Sequence, residues 1–265
     1  VRVTDIQQLG DDLSHYPSYE RPGAYVVSPW LAAGDSRATW LLLVDEAYER
    51  FPKQWTINGA HAVVELHPQN ASALEWRQGM TMFQRLHLVR LAANATGEAL
   101  DNEAWSWNRQ PLVRVDADQY RAAGWRIPFR YEPKRFPRVE NKFRELFRFP
   151  WYPGTFYWGD ESEEMTVADY LALPLEQRHR ARPRNGEYDI AAASAKEYAR
   201  TGRGEFLRQC RNAAEHLMYT DFIEVSHDIW KEGGVPAHGR NHTSGAAYPS
   251  HMWIEGLTLY HQLTG

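Results

Sequence analysis

Cysteine is almost absent from this chain. Its 265 residues include a single cysteine, Cys210, so no disulfide can form within the chain. Many periplasmic and secreted bacterial proteins also lack disulfides, so the cysteine content leaves the compartment open.

Long hydrophobic runs and an excess of positive charge are also missing. No apolar run approaches the length of a membrane span, and the first residues, VRVTDIQQLGDD, show no signal-peptide pattern. The chain starts with Val1 rather than methionine, which is consistent with a missing leader, and we expect a secreted or periplasmic protein rather than a cytoplasmic one. The formal net charge of −4 argues against general nucleic-acid binding, so we expect neither nucleic acid nor a membrane as partner.

Apolar and aromatic residues are plentiful. Hydrophobic residues make up 43% of the chain, which is enough for the core of one large domain or two modest ones. The aromatic content is 13%, with 11 Trp and 14 Tyr. Aromatic faces stack on the apolar faces of sugars, so this composition is typical of carbohydrate binders, although large cores also use such residues.

The first part of the chain, residues 1–105, predicts a β-rich domain. Segments with the composition or alternation of strands are residues 38–47, 54–66 and 79–89. Asn58 and Gly59 supply a turn signal. We therefore expect an N-terminal antiparallel β-sandwich-like region.

Residues 106–265 show helical periodicity instead. Helices are predicted over residues 187–200, 205–219 and 250–263. The first and third of these end on the same pattern, an aromatic residue followed shortly by Thr-Gly, at Gly202 and Gly265. Such a repeat fits the hairpins of an α/α toroid and predicts that these two helices run in the same direction. We expect an α+β multidomain chain whose toroid is incomplete.

Two aromatic segments are candidates for substrate binding. The loop from Trp151 to Asp160 concentrates large rings beside a Gly-Asp turn, and the segment before the first predicted helix would face the same mouth of a toroid as residues 238–251. The predicted substrate-binding residues are Trp151, Tyr157, Trp158, Asp160, Tyr188 and Asp189. The alternative for the aromatic loop is that its rings fill the junction between two domains.

The stretch from His238 to His251 is a Gly- and Ser-rich loop that holds the candidate catalytic groups. These candidates are His238, Arg240, Asn241, His242 and Tyr248. Any one of them alone is often a helix cap or an exposed side chain. Their density in one loop is what indicates a catalytic mouth.

Three segments resemble those of exo-rhamnogalacturonan lyases and YetA-like proteins. They are His251-x-Trp-x-Glu-Gly-Leu-x-Leu-Tyr-x-x-Leu-Thr-Gly with the histidine-bearing loop before it, Phe156-Tyr-Trp-Gly-Asp160, and, more loosely, Trp76 to His87. The resemblance implies a β-rich region followed by an α/α toroid. It also implies β-elimination on a uronate-containing, rhamnogalacturonan-like polysaccharide, so that the partner is an acidic polysaccharide or oligosaccharide.

The roles of the loop residues follow from what elimination requires. The uronate carboxylate must be neutralised, the proton α to it removed, and the leaving oxygen protonated. Arg240 and Asn241 suit the first task, His242 or His238 the second, and Tyr248 the second or third. No cofactor is required, although a calcium ion would also neutralise the carboxylate.

A metal site is a further interpretation of the same region. His251 and Glu255 are four residues apart and would share one face of the predicted third helix. With His238, His242 or His227 they would hold zinc or another divalent ion. The chain has no HExxH motif and no cysteine pair, and the competing interpretation is that Glu255 orients His251.

Two other functions remain open from the sequence. A glycoside hydrolase on a toroid needs two carboxylates that flank the scissile bond, and the candidates are Asp160, Glu187, Asp189 and Glu255. The histidine-rich loop fits elimination better than hydrolysis. The other alternative is a non-catalytic carbohydrate-binding module.

Overall fold

The computed structural model describes most of the chain, in ranges separated by gaps. The described residues are 8–9, 30–47, 50, 53–58, 61–67, 76–108, 113–146, 156, 158–162, 183–184, 188–236 and 242–265. Within them the protein is a mixture of helices and small antiparallel sheets. No helix in these ranges has the length and apolar character needed to cross a bilayer.

The chain divides into two compact units. The first contains residues 1–74, 83–111 and 153–155, and the second contains residues 75–82, 112–152 and 156–265. The main boundary between the two units falls between residues 111 and 112, close to the domain boundary that the sequence predicts after residue 105. Residues 75–82 belong to the second unit, although the sequence pattern places them in the β-rich domain.

The described strands of the first unit form two antiparallel sheets of three strands each. One sheet has the order β1 (Gln8–Leu9), β4 (Lys53–Asn58), β5 (His61–Glu65), and the other has the order β2 (Trp30–Gly34), β3 (Thr39–Val44), β6 (Leu86–Leu91). Leu31 and Val44 from the second sheet share a hydrophobic cluster with Trp55 and Val64 from the first. The expectation of antiparallel β structure in this part of the chain is therefore confirmed.

A helix covers the other face of the β2–β3–β6 sheet. Leu41 and Leu43 of β3 are fully buried and cluster with Leu100 of α1 (Gly97–Asn108). Trp30 adds a polar tie, because its indole N–H donates to Asp101 at 3.0 Å. Burying leucine side chains of this kind stabilises a fold by about 1.5–3 kcal/mol each.

Two of the predicted strands differ from the observed ones. Residues 54–66 form a hairpin of β4 and β5, with Asn58 opposite His61, rather than one strand. The strand predicted over residues 79–89 starts only at Leu86. Before it, the backbone N–H and the hydroxyl of Thr81 both donate to the carbonyl of Tyr219, at 2.9 and 2.6 Å, so these groups serve the second unit rather than a sheet.

The second unit is mainly helical. Its described elements are α2 (Ala117–Ala122), α3 (Pro137–Leu146), β7 (Glu161–Ser162) paired with β8 (Pro183–Arg184), α4 (Ile190–Thr201), α5 (Gly204–His216), a π-helical turn (Leu217–Asp221), and α6 (Glu255–Thr264). The π-turn continues α5 without a break. Short 3-10 turns at Ile229–Lys231, His242–Ser244 and Pro249–His251 occupy the return between the π-turn and α6.

Helices α4 and α5 form an antiparallel hairpin with a core of small residues. Ala191, Ala195, Cys210 and Ala214 are almost completely buried in the cluster between α4, α5 and α6. Alanine faces let helix backbones approach closely, so this interface gains dispersion energy from near contact rather than from large side chains. Burial raises the pKa of the Cys210 thiol to about 12, so this cysteine stays protonated and unreactive.

Helices α4 and α6 run in the same direction, as the Thr-Gly repeat predicts. The carboxylate of Asp189 accepts from the N–H of Ala192 in the first turn of α4, at 3.0 Å, and from the N–H of Gly256 in the first turn of α6, at 2.9 Å. At the opposite end, Leu263 of α6 packs against the cluster of Tyr198, Phe206 and Leu207, which joins the end of α4 to the start of α5. One carboxylate therefore fixes the starting points of two helices.

The predicted third helix is interrupted. Residues 249–251 form a 3-10 turn, and α6 begins only at Glu255. A side chain at position 256 would overlap the Asp189 carboxylate, so Gly256 is what allows the close approach. The capture of the Gly256 N–H by Asp189 explains why the helix starts here and not at Pro249.

A buried arginine joins α3 to α4. Arg200 makes paired contacts with Glu140, at 2.8 and 2.7 Å, and with Glu197, at 2.9 and 2.7 Å. Its guanidinium also lies over the Phe129 ring, 4.7 Å from the centroid. The hydrogen bonds from Arg200 hold the pKa of the Glu140 carboxyl below its usual range. The planar guanidinium donates to the Glu140 and Glu197 carboxylates together, and the ammonium group of a lysine cannot reproduce this geometry.

We predict that Arg200→Lys destabilises the protein by roughly 2–4 kcal/mol, because it keeps the charge but leaves buried carboxylate oxygens unsatisfied. The matched control is Arg203→Lys, since the Arg203–Glu205 pair is partly exposed and should change stability by less than about 0.5 kcal/mol. Urea unfolding of both variants measures the difference. Equal losses would show that the buried network is not a distinct source of stability.

The first unit contains a buried cation in β4. Lys53 is fully buried and donates to the carbonyls of Arg50 and Leu66, the latter at 3.0 Å. Burial, helped by the charge of Arg50, lowers the pKa of Lys53 from 10.5 to about 7. Because the folded-state pKa is the lower one, the cost of burying the charged form is present in full below about pH 7 and disappears toward pH 10.5.

We predict that the wild-type protein gains stability relative to Lys53→Met as the pH rises from about 7 to about 10, since only the wild type loses a proton from a buried site in this range. The measurement is the free energy of unfolding in urea at several pH values for both proteins. Methionine also leaves the two carbonyls without the lysine donor, which adds an offset that does not vary with pH, so the pH dependence of the difference is the readout. A constant difference would exclude a titrating Lys53.

Candidate functional site

Four ionisable side chains meet in the interior of the second unit. They are Asp160, His216, Asp221 and His242, and one ligating atom from each lies within 4.8 Å of the others. The exposed fraction of these residues is 4% or less. Ionisable groups this deeply buried are expensive unless they compensate one another, so the cluster requires a specific explanation.

The π-turn at the end of α5 brings two of the residues together. His216 is the last residue of α5, and Asp221 is the last residue of the π-turn, five positions later. In a regular α-helix, residues five apart point in different directions, whereas the wider π-turn places them on one side. The turn is closed by a hydrogen bond from the N–H of Phe222 to the carbonyl of Leu217, at 2.9 Å.

Asp160 reaches the cluster because the residue before it is glycine. Gly159 has φ of +110°, a conformation that other residues rarely adopt. A Cβ atom at this position would lie 2.3 Å from the Cβ of His216 and 2.5 Å from the carbonyl oxygen of Asn212. The loop therefore packs directly on the backbone of α5, which brings the Asp160 carboxylate to His216.

His242 is held in the cluster by a strained backbone and an anchored loop. Its φ is +41°, which is unfavourable for a residue with a Cβ atom. An isolated antiparallel bridge between Pro236 and Ala247 closes the loop that carries it. Next to it, the Thr243 hydroxyl donates to the carbonyl of Gln78 at 2.6 Å. The segment around Gln78, which is distant in sequence, therefore helps to hold the His242 turn in place.

The hydrogen bonds of His216 decide how its ring is oriented. Its Nδ1 lies 3.0 Å from the carbonyl oxygen of Trp158. A carbonyl can only accept, so Nδ1 carries a proton and donates to it. The other nitrogen, Nε2, faces two carboxylates, with Asp160 Oδ1 at 2.9 Å and Asp221 Oδ2 at 3.3 Å.

His242 shares one of these carboxylates. Its Nδ1 lies 2.8 Å from Asp221 Oδ1, and its Nε2 lies 4.0 Å from Asp160 Oδ2. The two imidazole rings are 5.4 Å apart between centroids. Asp221 therefore contacts both histidines and fixes their relative position.

Burial and the neighbouring charges shift the pKa values of the cluster residues in different directions. Burial raises the pKa of Asp160, although His216 and His242 act in the opposite direction. At Asp221 burial acts in the same way, but the two histidines outweigh it and hold the pKa well below its usual range. Burial also acts to lower the pKa of His216, but the carboxylates of Asp160 and Asp221 outweigh it and raise the value to about 10. Without a bound ion, His216 is therefore a protonated imidazolium and Asp221 is an ionised carboxylate at neutral pH.

The predicted catalytic residues are only partly described. His238, Arg240 and Asn241 lie outside the described residues, so their predicted roles stay predictions. His242 is buried and bound to Asp221, a position from which its imidazole cannot contact a polysaccharide in this conformation. Tyr248 is about half exposed, at 52%, and follows the bridge that closes the His242 loop.

The predicted substrate-binding residues have different positions. Trp151 and Tyr157 lie outside the described residues. Trp158 is 3% exposed, which favours the interpretation that its ring packs in the interior, and Asp160 belongs to the buried cluster. Tyr188 is exposed at 76% and is available to a ligand. Asp189 has both carboxylate oxygens engaged in starting α4 and α6.

The predicted metal pair does not share a continuous helix. His251 ends a 3-10 turn, while Glu255 starts α6 and forms an ion pair with Lys196 at 2.9 Å. The spacing of four residues therefore does not place His251 and Glu255 on one helix face. The ligand-type side chains that do converge among the described residues are those of the buried cluster.

The sequence does not predict two members of the cluster, His216 and Asp221. The helix predicted over residues 205–219 contains His216 near its apolar face, and Asp221 falls in the return that follows. A spacing of five residues matches no face of an α-helix, so the pair gives no periodic signal. The detectable signal is a histidine buried at the end of an otherwise apolar helix and followed by a carboxylate.

We predict that Gly159→Ala lowers the free energy of unfolding by at least about 3 kcal/mol, because the added methyl group overlaps His216 and the backbone of Asn212 in addition to straining the backbone. Gly124→Ala is the matched control. Gly124 has φ of +92°, but open space surrounds the position that a Cβ atom would take there, so only the strain of about 1 kcal/mol applies. Thermal and urea unfolding compare the two, and similar losses would exclude the close approach as the reason for Gly159.

Compared with known protein families and with curated proteins, the chain matches none.

Proposed function

We propose that this protein is a polysaccharide lyase that cleaves a uronate-containing, rhamnogalacturonan-like polysaccharide by β-elimination. The observation that carries the proposal is the convergence of the segments that resemble such lyases. Asp160 of the aromatic Gly-Asp motif and His242 of the histidine-bearing loop belong to one cluster, and the hydroxyl of Thr243 binds the carbonyl of Gln78 in the third segment. Separate motifs that meet around buried charges are typical of a functional centre.

Elimination places definite demands on the groups near the substrate. A base takes the proton at C5 of the uronate, the electron pair forms the C4–C5 double bond, and the sugar linked through O4 leaves and takes up a proton. Tyr248 is exposed enough to carry out one or both proton transfers. In this proposal His242 positions the loop through its bond to Asp221 rather than contacting the sugar.

The hydrolase alternative is less well supported by the described carboxylates. Both carboxylate oxygens of Asp189 accept hydrogen bonds from backbone N–H groups. Asp160 is fully buried beside two histidines. Glu255 is exposed but paired with Lys196. A glycosidase needs one carboxyl group to protonate the leaving oxygen and another to attack or activate water, and these three side chains are engaged in other contacts.

The finer architecture is part of the same proposal. Helices α4 and α6 are parallel, with α5 antiparallel to α4, which is the arrangement of successive hairpins in an α/α toroid. We propose that α4–α6 belong to such a toroid and that the β-rich region predicted over residues 1–105 is β-sandwich-like. A polysaccharide substrate also favours a secreted or periplasmic location.

We predict that Tyr248→Phe reduces the rate of elimination by about 10²–10⁴-fold, because it removes a group that transfers a proton in the transition state. The assay follows the absorbance of the unsaturated product from a uronate-containing oligosaccharide. Phenylalanine keeps the ring, so stability should change by less than about 1 kcal/mol. Tyr120→Phe is the control, since Tyr120 packs against Trp125 and is not one of the candidate residues.

The products distinguish the alternatives. Saturated reducing ends without an unsaturated product, abolished by Glu255→Gln but not by Tyr248→Phe, would identify a hydrolase. Binding of the oligosaccharide without either product would identify a carbohydrate-binding module. Either outcome would contradict the lyase proposal.

A further inference from the structure

We propose that Asp160, His216, Asp221 and His242 bind one divalent metal ion of the zinc class, and that this ion has a structural role in the second unit. Binding of the ion is independent of lyase activity, since it depends on the donor atoms, their directions and their burial. The site differs from the His251–Glu255 pair suggested by the sequence.

The donor set suits a borderline transition metal. Two imidazole nitrogens and two carboxylates are ligands that Zn²⁺ commonly uses, whereas Ca²⁺ prefers an all-oxygen shell. Two ionised aspartates also balance the charge of a divalent ion, so the filled site is electrically neutral. Neutrality matters here because the side chains are almost entirely removed from water.

The distances between donors fit a single ion. Bonds of about 2.0–2.1 Å in a tetrahedral site separate neighbouring donors by roughly 3.3 Å. The observed separations are 2.9 Å for His216 Nε2 to Asp160 Oδ1, 3.3 Å for His216 Nε2 to Asp221 Oδ2, and 2.8 Å for His242 Nδ1 to Asp221 Oδ1. These values lie at or below the ideal separation, so small side-chain movements would complete the shell.

His216 is oriented as a metal ligand. It donates from Nδ1 to the carbonyl of Trp158. Metal-bound histidines typically donate their second N–H to a carbonyl or a carboxylate, which fixes the tautomer and the ring plane. Its Nε2 therefore faces Asp160 and Asp221. In His242 the nitrogen beside a ligand carboxylate is Nδ1, 2.8 Å from Asp221 Oδ1, so Nδ1 is the atom that would bind the ion.

A proton alone is poorly placed to replace the ion. Within the described residues, His216 Nε2, Asp221 Oδ2 and both oxygens of Asp160 have no hydrogen bond of acceptable geometry. His216 Nε2 lies 2.9 Å from Asp160 Oδ1 and 3.3 Å from Asp221 Oδ2. One proton on Nε2 can point at only one of these oxygens, whereas a central cation would bond to the nitrogen and to both carboxylates.

The burial of the donors assigns the ion a structural rather than a catalytic role. A catalytic zinc keeps one position open to water or substrate, whereas a structural zinc is closed by protein ligands. The ligands come from the loop at Asp160, the junction of α5 with the π-turn, and the turn at His242. One ion would tie these segments together, including the strained backbone at His242.

The test is the metal content of the purified chain by mass spectrometry. We expect about one equivalent of zinc per chain. After removal by a strong chelator, Zn²⁺ in hundred-fold excess over its Kd should raise the unfolding temperature by roughly 5–10 °C. Co²⁺ should bind in its place with the intense visible absorption of a four-coordinate ion.

The variants separate this site from adventitious binding. Asp160→Asn is nearly isosteric and should lower Zn²⁺ affinity at least about 100-fold, while His261→Gln, at an exposed histidine of α6, should leave it unchanged. If Asp160→Asn does not fold, the cobalt spectrum and the zinc titration of the wild type still decide the question. A folded wild type that takes up neither Zn²⁺ nor Co²⁺, or that keeps full affinity in Asp160→Asn, would overturn the proposal. Stabilisation by Ca²⁺ alone would also overturn it. Lyase activity does not enter any of these readouts.

Discussion

The mutual compensation of buried charges is the constraint on which the second unit depends. Asp160, His216, Asp221 and His242 are almost completely removed from water, and none of them would be tolerated there alone. Their partners come from segments that are distant in sequence, so the charges are balanced only when every segment is in place. Removing one member would leave the others buried and uncompensated, which is far more costly than losing an exposed ion pair. The cluster therefore couples the loop before β7, the end of α5 and the His242 turn.

Two of the buried polar networks among the described residues of the second unit differ in their backbones. Arg200, Glu140 and Glu197 lie on or beside regular helices, and none of them has a positive φ. The His and Asp cluster instead depends on a π-turn, a glycine at φ of +110° and a histidine at φ of +41°. Local strain persists only where the surroundings or a ligand hold it. Positive φ also occurs at Tyr188 and Asp189, where the hydrogen bonds of Asp189 to the first turns of α4 and α6 hold the backbone, so contacts with the surroundings hold the strain there.

The sequence predicts regular structure well where periodicity and caps act locally. The α4–α5 hairpin and the direction of α6 follow from helical spacing and from the glycines at the helix ends. The helix break before Glu255 is not predictable in this way, because the Asp189 carboxylate that captures the Gly256 N–H is 67 residues away. The same limitation applies to His216 and Asp221. Their spacing has meaning only in a π-turn, which no pattern in the sequence indicates.

The position of Tyr248 links the buried cluster to any chemistry at the surface. Tyr248 directly follows Ala247, whose bridge to Pro236 closes the loop that carries His242. The imidazole of His242 is fixed by Asp221, and Asp221 is fixed by the turn at the end of α5. An exposed tyrosine is thus attached to a rigid interior through a short, closed loop. Accurate placement of a proton-transferring group requires support of this kind, and in the elimination proposed above this loop is what would position the Tyr248 hydroxyl.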